Sequence, residues 1–174
     1  MIIGLDRAGK SVIMNYLATG ILVKEIKPTL NIDYGSIILY NIKCPFYDTP
    51  GQKSLRSTWT KVLNLASFVI YTIDAADVAR YLESMNELLG VLKNPHLQNI
   101  PLIILFHKMD LPAARAHLEE LKTYFSQDFI DSYGVRDVAY FETTIDDLSS
   151  LDAVKFYLQD HISKLTGILS DVSA

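Results

Sequence analysis

Gly4-Leu5-Asp6-Arg7-Ala8-Gly9-Lys10-Ser11 is a complete G-x-x-x-x-G-K-[ST] run, set between a short apolar stretch and a segment with helical spacing. The glycines let backbone N–H groups turn onto an anion, and the helix start that follows adds its partial positive charge. The Lys10 ammonium can neutralise β- and γ-phosphate oxygens, and the Ser11 hydroxyl can ligate Mg²⁺. Asp6, Arg7, Ala8, Gly9, Lys10, Ser11 and Val12 are therefore expected around the phosphates of a bound nucleotide.

Four further groups of residues follow in order. Asp48-Thr49-Pro50-Gly51-Gln52 comes after an apolar strand ending at Tyr47. An acid at a strand end, across from a phosphate loop, is placed to hold the Mg²⁺ shell. The Gly51 N–H can approach a terminal phosphate, and Gln52 can orient an attacking water. Asp, Pro and Gly are also common turn residues; the loop upstream favours the chemical reading. Pro28-Thr29 offers a second hydroxyl for the metal, present with the γ-phosphate and released after hydrolysis. The expected metal set is Ser11, Thr29 and Asp48, and the expected catalytic set is Lys10, Gly51 and Gln52. His107-Lys108-Met109-Asp110 follows the apolar strand Leu102–Phe106. Its Asp110 carboxylate can accept from guanine N1–H and the 2-amino group, and the Lys108 stem can lie along the base. Glu142-Thr143-Thr144 closes the series, with a backbone N–H facing the guanine carbonyl.

These groups need a scaffold. Strands are expected over Met1–Leu5, Tyr34–Tyr40, Ile42–Tyr47, Phe68–Ile73, Leu102–Phe106 and Val138–Phe141. Helices are expected over Lys10–Ala18, Leu55–Leu65, Asp77–Leu92, Ala113–Phe125 and Leu151–Leu165. In the last, Leu151, Val154, Leu158, Ile162 and Leu165 share one face and Gly167 stops the helix. Strand alternating with helix implies an α/β fold: a mostly parallel six-stranded sheet with helices on both faces. Tyr34–Tyr47 is the exception, an antiparallel hairpin turning at Asn41. Ligands in such sheets sit beyond the carboxyl ends of the strands, where nearly all these groups fall.

The 174 residues fit one domain, 1–174, better than two. With 49% hydrophobic and 21% charged residues, disorder is excluded. A net charge of −4 without a Lys/Arg block argues against nucleic acid as a partner. A lone Cys44, expected to be a packing residue, fits a reducing, cytoplasmic setting. Ile2 stands where myristoylation requires glycine, and Ser170–Ala174 hold no prenylatable cysteine, so no membrane anchor is expected in this chain. The arginines are scattered singly, against a kinase with an arginine-rich lid. Arg7 and Arg56 read as solvated side chains rather than internal arginine fingers.

In order and spacing the five groups resemble the Ras-like small GTPases, over nearly the whole chain. Within them the chain is most similar to Arf-like proteins, with Rag-like features. Gly4-Leu5-Asp6-x-Ala8-Gly9-Lys10 is similar to the Arf loop, the nineteen residues from Thr29 to Asp48 match the short Arf interswitch, and Arg56-x-x-Trp59 and Lys108-x-Asp110-Leu111-Pro112 sit at Arf offsets. His107-Lys108-Met109-Asp110, Pro50-Gly51-Gln52 and Phe141-Glu142-Thr143-Thr144-Ile145 resemble the Rag branch. The resemblance implies a P-loop NTPase of the small G-protein fold, binding GTP or GDP with Mg²⁺ and hydrolysing GTP slowly. It also implies exchange factors, GTPase-activating proteins and effectors meeting a surface at Ile32, Tyr47 and Val62, with Trp59 beside it. A poorly hydrolysing, GTP-loaded subunit of a larger assembly, as in Rag-type proteins, is the alternative. Pro50 lacks an N–H and favours extended geometry at Thr49, which is expected to stiffen switch II, the segment that begins at Asp48.

Overall fold

Successive side chains of a strand point to opposite faces, and the central strands use both. In β4 (Val69–Asp74) and β5 (Leu102–His107), Val69, Tyr71, Ile73, Leu102, Ile104 and Phe106 enter one core, while Ile70, Ile103 and Leu105 enter the other. β1 (Ile2–Ile3) divides the same way, Ile2 to one side and Ile3 to the other. The result, in a computed structural model that describes residues 1–167, is a six-stranded sheet ordered β2-β3-β1-β4-β5-β6. Its remaining strands are β2 (Asp33–Leu39), β3 (Ile42–Asp48) and β6 (Val138–Thr143).

β2 and β3 pair antiparallel through a two-residue turn at Tyr40 and Asn41, both at positive φ (47° and 62°), as a type I′ hairpin requires. Every other pairing is parallel. Helices α1 (Lys10–Thr19) and α7 (Ser149–Thr166) cover the Ile2 face. α2 (Trp59–Leu63), α3 (Tyr81–Leu92), α4 (Pro112–Ala116), α5 (Leu118–Tyr124) and α6 (Gln127–Asp131) cover the other.

Three expectations change. The helix expected over 113–125 is broken at His117 (φ −111°, ψ 13°) into α4 and α5. The helix expected over 55–65 is a 3₁₀ segment, Lys53–Thr58, running into the five-residue α2. α6, unforeseen, starts at a Ser126 cap whose hydroxyl accepts from the Phe129 N–H. α7 buries Leu151, Val154 and Leu158, but Leu165, about two turns beyond Leu158, is 68% exposed. Gly167 ends that helix in the left-handed region (φ 71°). Ser170–Ala174 lie outside the described residues. Among the described residues no helix is long and apolar enough to cross a membrane.

Candidate functional site

β1 ends at Ile3, and the chain from Gly4 to Gly9 leads into α1, which Lys10 opens. Arg7 (φ 64°) and Gly9 (φ 90°) take positive φ, the kind of backbone turn from which successive amides can form an anion-binding concavity. Gly4 serves close packing: a Cβ there would lie 2.1 Å from the Thr72 carbonyl oxygen of β4. Lys10 is buried, with Nζ donating to the Leu5 carbonyl at 2.8 Å. Burial pushes its ammonium down to about 8, against the opposing pull of Asp48 and Asp6.

A cavity of about 580 Å³ opens beyond this loop at the carboxyl ends of the strands. Asp6, Arg7, Gly9, Lys10, Ser11, Val12, Thr29, Gly51, Gln52, His107, Lys108 and Asp110 all line it, as do Lys24, Ile26 and Ile145, which sequence reasoning missed. Ala8 is buried behind the loop, 1% exposed.

At the metal end, Ser11 Oγ and Thr29 Oγ1 share a hydrogen bond of 2.9 Å, and Thr29 Oγ1 lies 3.5 Å from Asp48 Oδ2. Asp48 Oδ1 is buried and has no partner among the described residues. Burial raises the Asp48 carboxyl above its ordinary range, with the Ser11 hydrogen bond and the Lys10 charge opposing. An orphaned buried carboxylate oxygen beside two hydroxyls is a hard oxygen set of the kind Mg²⁺ takes with phosphate and water. Gly51 lies hard against the loop: a Cβ would sit 2.4 Å from Asp6 N and 2.5 Å from Lys10 Nζ. Its carbonyl accepts from the Asp6 N–H at 3.0 Å, and its own N–H makes no hydrogen bond among the described residues.

At the other end, Asp110 Oδ1 accepts from Thr144 Oγ1 at 2.5 Å, and Lys108 Nζ pairs with Asp74 Oδ2 at 2.5 Å. Asp74, at the tip of β4, thus fixes the Lys108 stem. Thr143 and Thr144 do not line the cavity. Thr143 is fully buried, donating to or accepting from His107 Nδ1 at 2.9 Å, and the Thr144 N–H is taken by Ser150 Oγ at 3.1 Å. The amide left for a ligand carbonyl is that of Ile145, whose side-chain type carries no such signal.

His107 is 2% exposed, wedged so that a Cβ on Gly9 would touch its Cδ2 at 2.6 Å. Burial pushes the imidazole from about 6.5 down to about 4, with the Lys108 charge acting the same way. The unfolded chain therefore takes up this proton below about pH 6.5 and the folded protein only near pH 4, so stability is full above that window and lost as pH falls through it. The loss by pH 5 is roughly 2 kcal/mol, or about 4–8 °C in Tm for a domain of this size. Thermal melts of wild type and His107→Asn at pH 7 and 5 check this; equal acid losses in both would contradict it.

Two expectations about the surface are corrected. Trp59 and Val62 are 3% exposed each, and Trp59 Nε1 donates to the Pro50 carbonyl at 2.8 Å, so neither presents a partner surface. Both are core residues because the short α2 turns its apolar side onto the sheet. Ile32 and Tyr47 are half-buried; what the hairpin exposes is Tyr34 (71%), edge-on to Tyr47 at 5.4 Å, and Ile38 (62%). Arg7 is exposed as expected, but Arg56 is 5% exposed and ion-paired.

The family model described as "Arf: ADP-ribosylation factor family" matches residues 1–146. The chain belongs to the ADP-ribosylation factor family. ADP-ribosylation factor-like protein 8c of Arabidopsis thaliana is 30% identical over 160 residues, 92% of this chain and 85% of that protein. Among solved structures, the Arl6 small GTPase of Trypanosoma brucei with a bound nucleotide analogue superposes with a TM-score of 0.73. That match spans 94% of this chain and 95% of that one at 19% identity, and shows the small GTPase fold. As an Arf-family protein the chain is a small GTPase and nucleotide-binding switch, in a family whose members bind GTP and GDP with Mg²⁺ and hydrolyse GTP.

Proposed function

We propose that this Arf-family chain is a guanine-specific timer that hydrolyses GTP slowly and signals through nucleotide-dependent contacts of its two switches. The observation that carries the reading is a single cavity with Lys10 and Ser11 at one end and Lys108 and Asp110 at the other. Asp6, Arg7, Ala8, Gly9 and Val12 form the phosphate loop around Lys10. Asp110 reads N1–H and the 2-amino group, the Ile145 amide meets the guanine carbonyl, and Thr143 and Thr144 hold His107 and Asp110 from behind.

Bound Mg²⁺ would neutralise developing phosphate charge, held by Ser11, Thr29 and Asp48. The Lys10 ammonium neutralises phosphate oxygens, the free Gly51 N–H donates to the terminal phosphate, and Gln52 orients water. With Arg56 committed to ion pairs, no internal arginine reaches the phosphates from switch II. Unaided turnover on the order of 10⁻⁴–10⁻² s⁻¹ follows for this class. The exposed Tyr34 and Ile38, with half-buried Ile32 and Tyr47, give exchange factors, activating proteins and effectors a surface beside switch I, the segment that carries Thr29.

One observation favours the Rag-like alternative, a loaded subunit that hydrolyses poorly. Switch II is pinned, since the Pro50 carbonyl accepts from Trp59 and the Gly51 carbonyl from Arg56. Single-turnover hydrolysis of preloaded GTP separates the two. Gln52→Leu is expected to slow it at least about tenfold by losing the water-orienting amide. Equal, negligible rates in wild type and variant would leave the loaded-subunit reading in its place.

A further inference from the structure

Arg56 is engaged on every side: it holds two residues of the cavity wall, Gly51 and Asp6, and two carboxylates of α3 that do not line the cavity. Its Nε donates to the Gly51 carbonyl at 2.8 Å, its Nη1 lies 2.8 Å from both Glu83 and Glu87 of α3, and its Nη2 lies 3.5 Å from Asp6. Arg80 ties the same group together, with Nη2 2.8 Å from Asp6 Oδ1 and Nε 2.8 Å from Glu83 Oε2. The Arg80 hydrogen bond holds the Glu83 carboxyl down to about 2, so Glu83 stays charged across the working pH range.

The Gly51 carbonyl accordingly has two donors, the Asp6 N–H from the phosphate loop and Arg56 from behind. Position 51 must be glycine, because a Cβ would collide with Asp6 N and Leu5 C at 2.4 Å. Glycine is also the residue with the widest choice of backbone conformations, so the close approach is bought with a loose pivot. A second donor on its carbonyl removes that looseness. A guanidinium suits the task, since its planar fork serves a carbonyl and two carboxylates at once where an ammonium would not.

We infer that Arg56 is a positioning residue for the terminal phosphate: anchored by Glu83 and Glu87, it holds Gly51, and through it Gln52, against the phosphate loop. The inference rests on the reading in which the Gly51 N–H meets the γ-phosphate. A diphosphate has no group at that place, so the clamp acts on the triphosphate state alone.

The test measures dissociation of fluorescent GDP and of a fluorescent non-hydrolysable GTP analogue, each with Mg²⁺, from the full chain. Arg56→Gln is expected to speed loss of the GTP analogue at least about tenfold, the scale of one hydrogen bond from a charged donor, and to change GDP loss less than about twofold. Glu87→Gln, at a half-buried position, keeps the test open if Arg56→Gln does not fold: it is expected to speed loss of the analogue about two- to fivefold, with GDP again unchanged. Equal acceleration for both nucleotides would reduce Arg56 to a structural support and overturn the inference, as would no change in either. If wild type binds neither nucleotide in preference to ATP, the underlying reading falls with it; intact guanine binding with a flat Arg56 series sinks this inference alone.

Discussion

Lys10→Ala is expected to weaken nucleotide binding by roughly 30- to 5,000-fold, with the chain remaining folded by circular dichroism. The ammonium is buried and bonded only to a carbonyl in the free protein. Phosphate would supply its opposite charge in a site that water reaches poorly. Truncating one partner of a buried, hydrogen-bonded charge pair costs about 2–5 kcal/mol, which sets that range at tenfold per 1.4 kcal/mol. The pH dependence carries the same signature. Burial holds the free ammonium near 8, and a bound phosphate raises it by stabilising the charged form. Binding then takes up a proton above about pH 8, so wild-type affinity falls as pH rises past 8, while that of Lys10→Ala stays flat. Titrations with a fluorescent nucleotide between pH 7 and 9.5 check both statements, and a wild-type affinity unchanged over that range would contradict them.

Gly4→Ala is expected to destabilise the protein by about 3–5 kcal/mol, a large share of the 5–15 kcal/mol typical of a folded domain. Two independent costs add. The position has φ +140°, a conformation that residues with a side chain rarely adopt, and the new methyl would lie 2.1 Å from the Thr72 carbonyl oxygen. That oxygen belongs to the central strand β4 and cannot move without disturbing the sheet. Gly90→Ala, in α3 with open space around the added carbon, is the control and is expected to stabilise by about 0.5–1 kcal/mol. Urea denaturation of both variants decides the matter. A Gly4→Ala loss below about 1 kcal/mol would show that the first loop glycine serves the phosphate alone.

Much of this was legible in the sequence because it is written locally. The loop from Gly4 to Ser11 is eight contiguous residues, and the strands show themselves by which residues are apolar in a period of two or in unbroken runs. The hairpin turn at Asn41 needs only two residues that tolerate positive φ. What escaped is written at long range. Arg56 meets Glu87 across 31 residues and Arg80 meets Asp6 across 74, and no spacing rule connects them. Lys108 meets Asp74 across 34 residues for the same reason. The resemblance to the Arf family places Val62 at a partner surface with Trp59 beside it, but no local pattern says which way the five-residue α2 turns, and both residues are buried. Ile145 lines the cavity and its N–H has no hydrogen bond among the described residues, a backbone feature that any residue type would supply. Thr144, the neighbour that sequence favoured, has its N–H already bonded to Ser150.

The central claim is that one cavity grips phosphate at Lys10 and reads guanine at Asp110. Its most direct test is competition of GTP, GDP and ATP against a fluorescent guanine nucleotide with Mg²⁺, in wild type and Asp110→Asn. The account predicts that GTP and GDP displace the probe from wild type at concentrations at least about a hundredfold below ATP, the scale of two hydrogen bonds to a carboxylate. In Asp110→Asn that advantage should shrink to within about tenfold. Equal displacement by ATP and GTP from wild type, or a guanine preference untouched by Asp110→Asn, would contradict it.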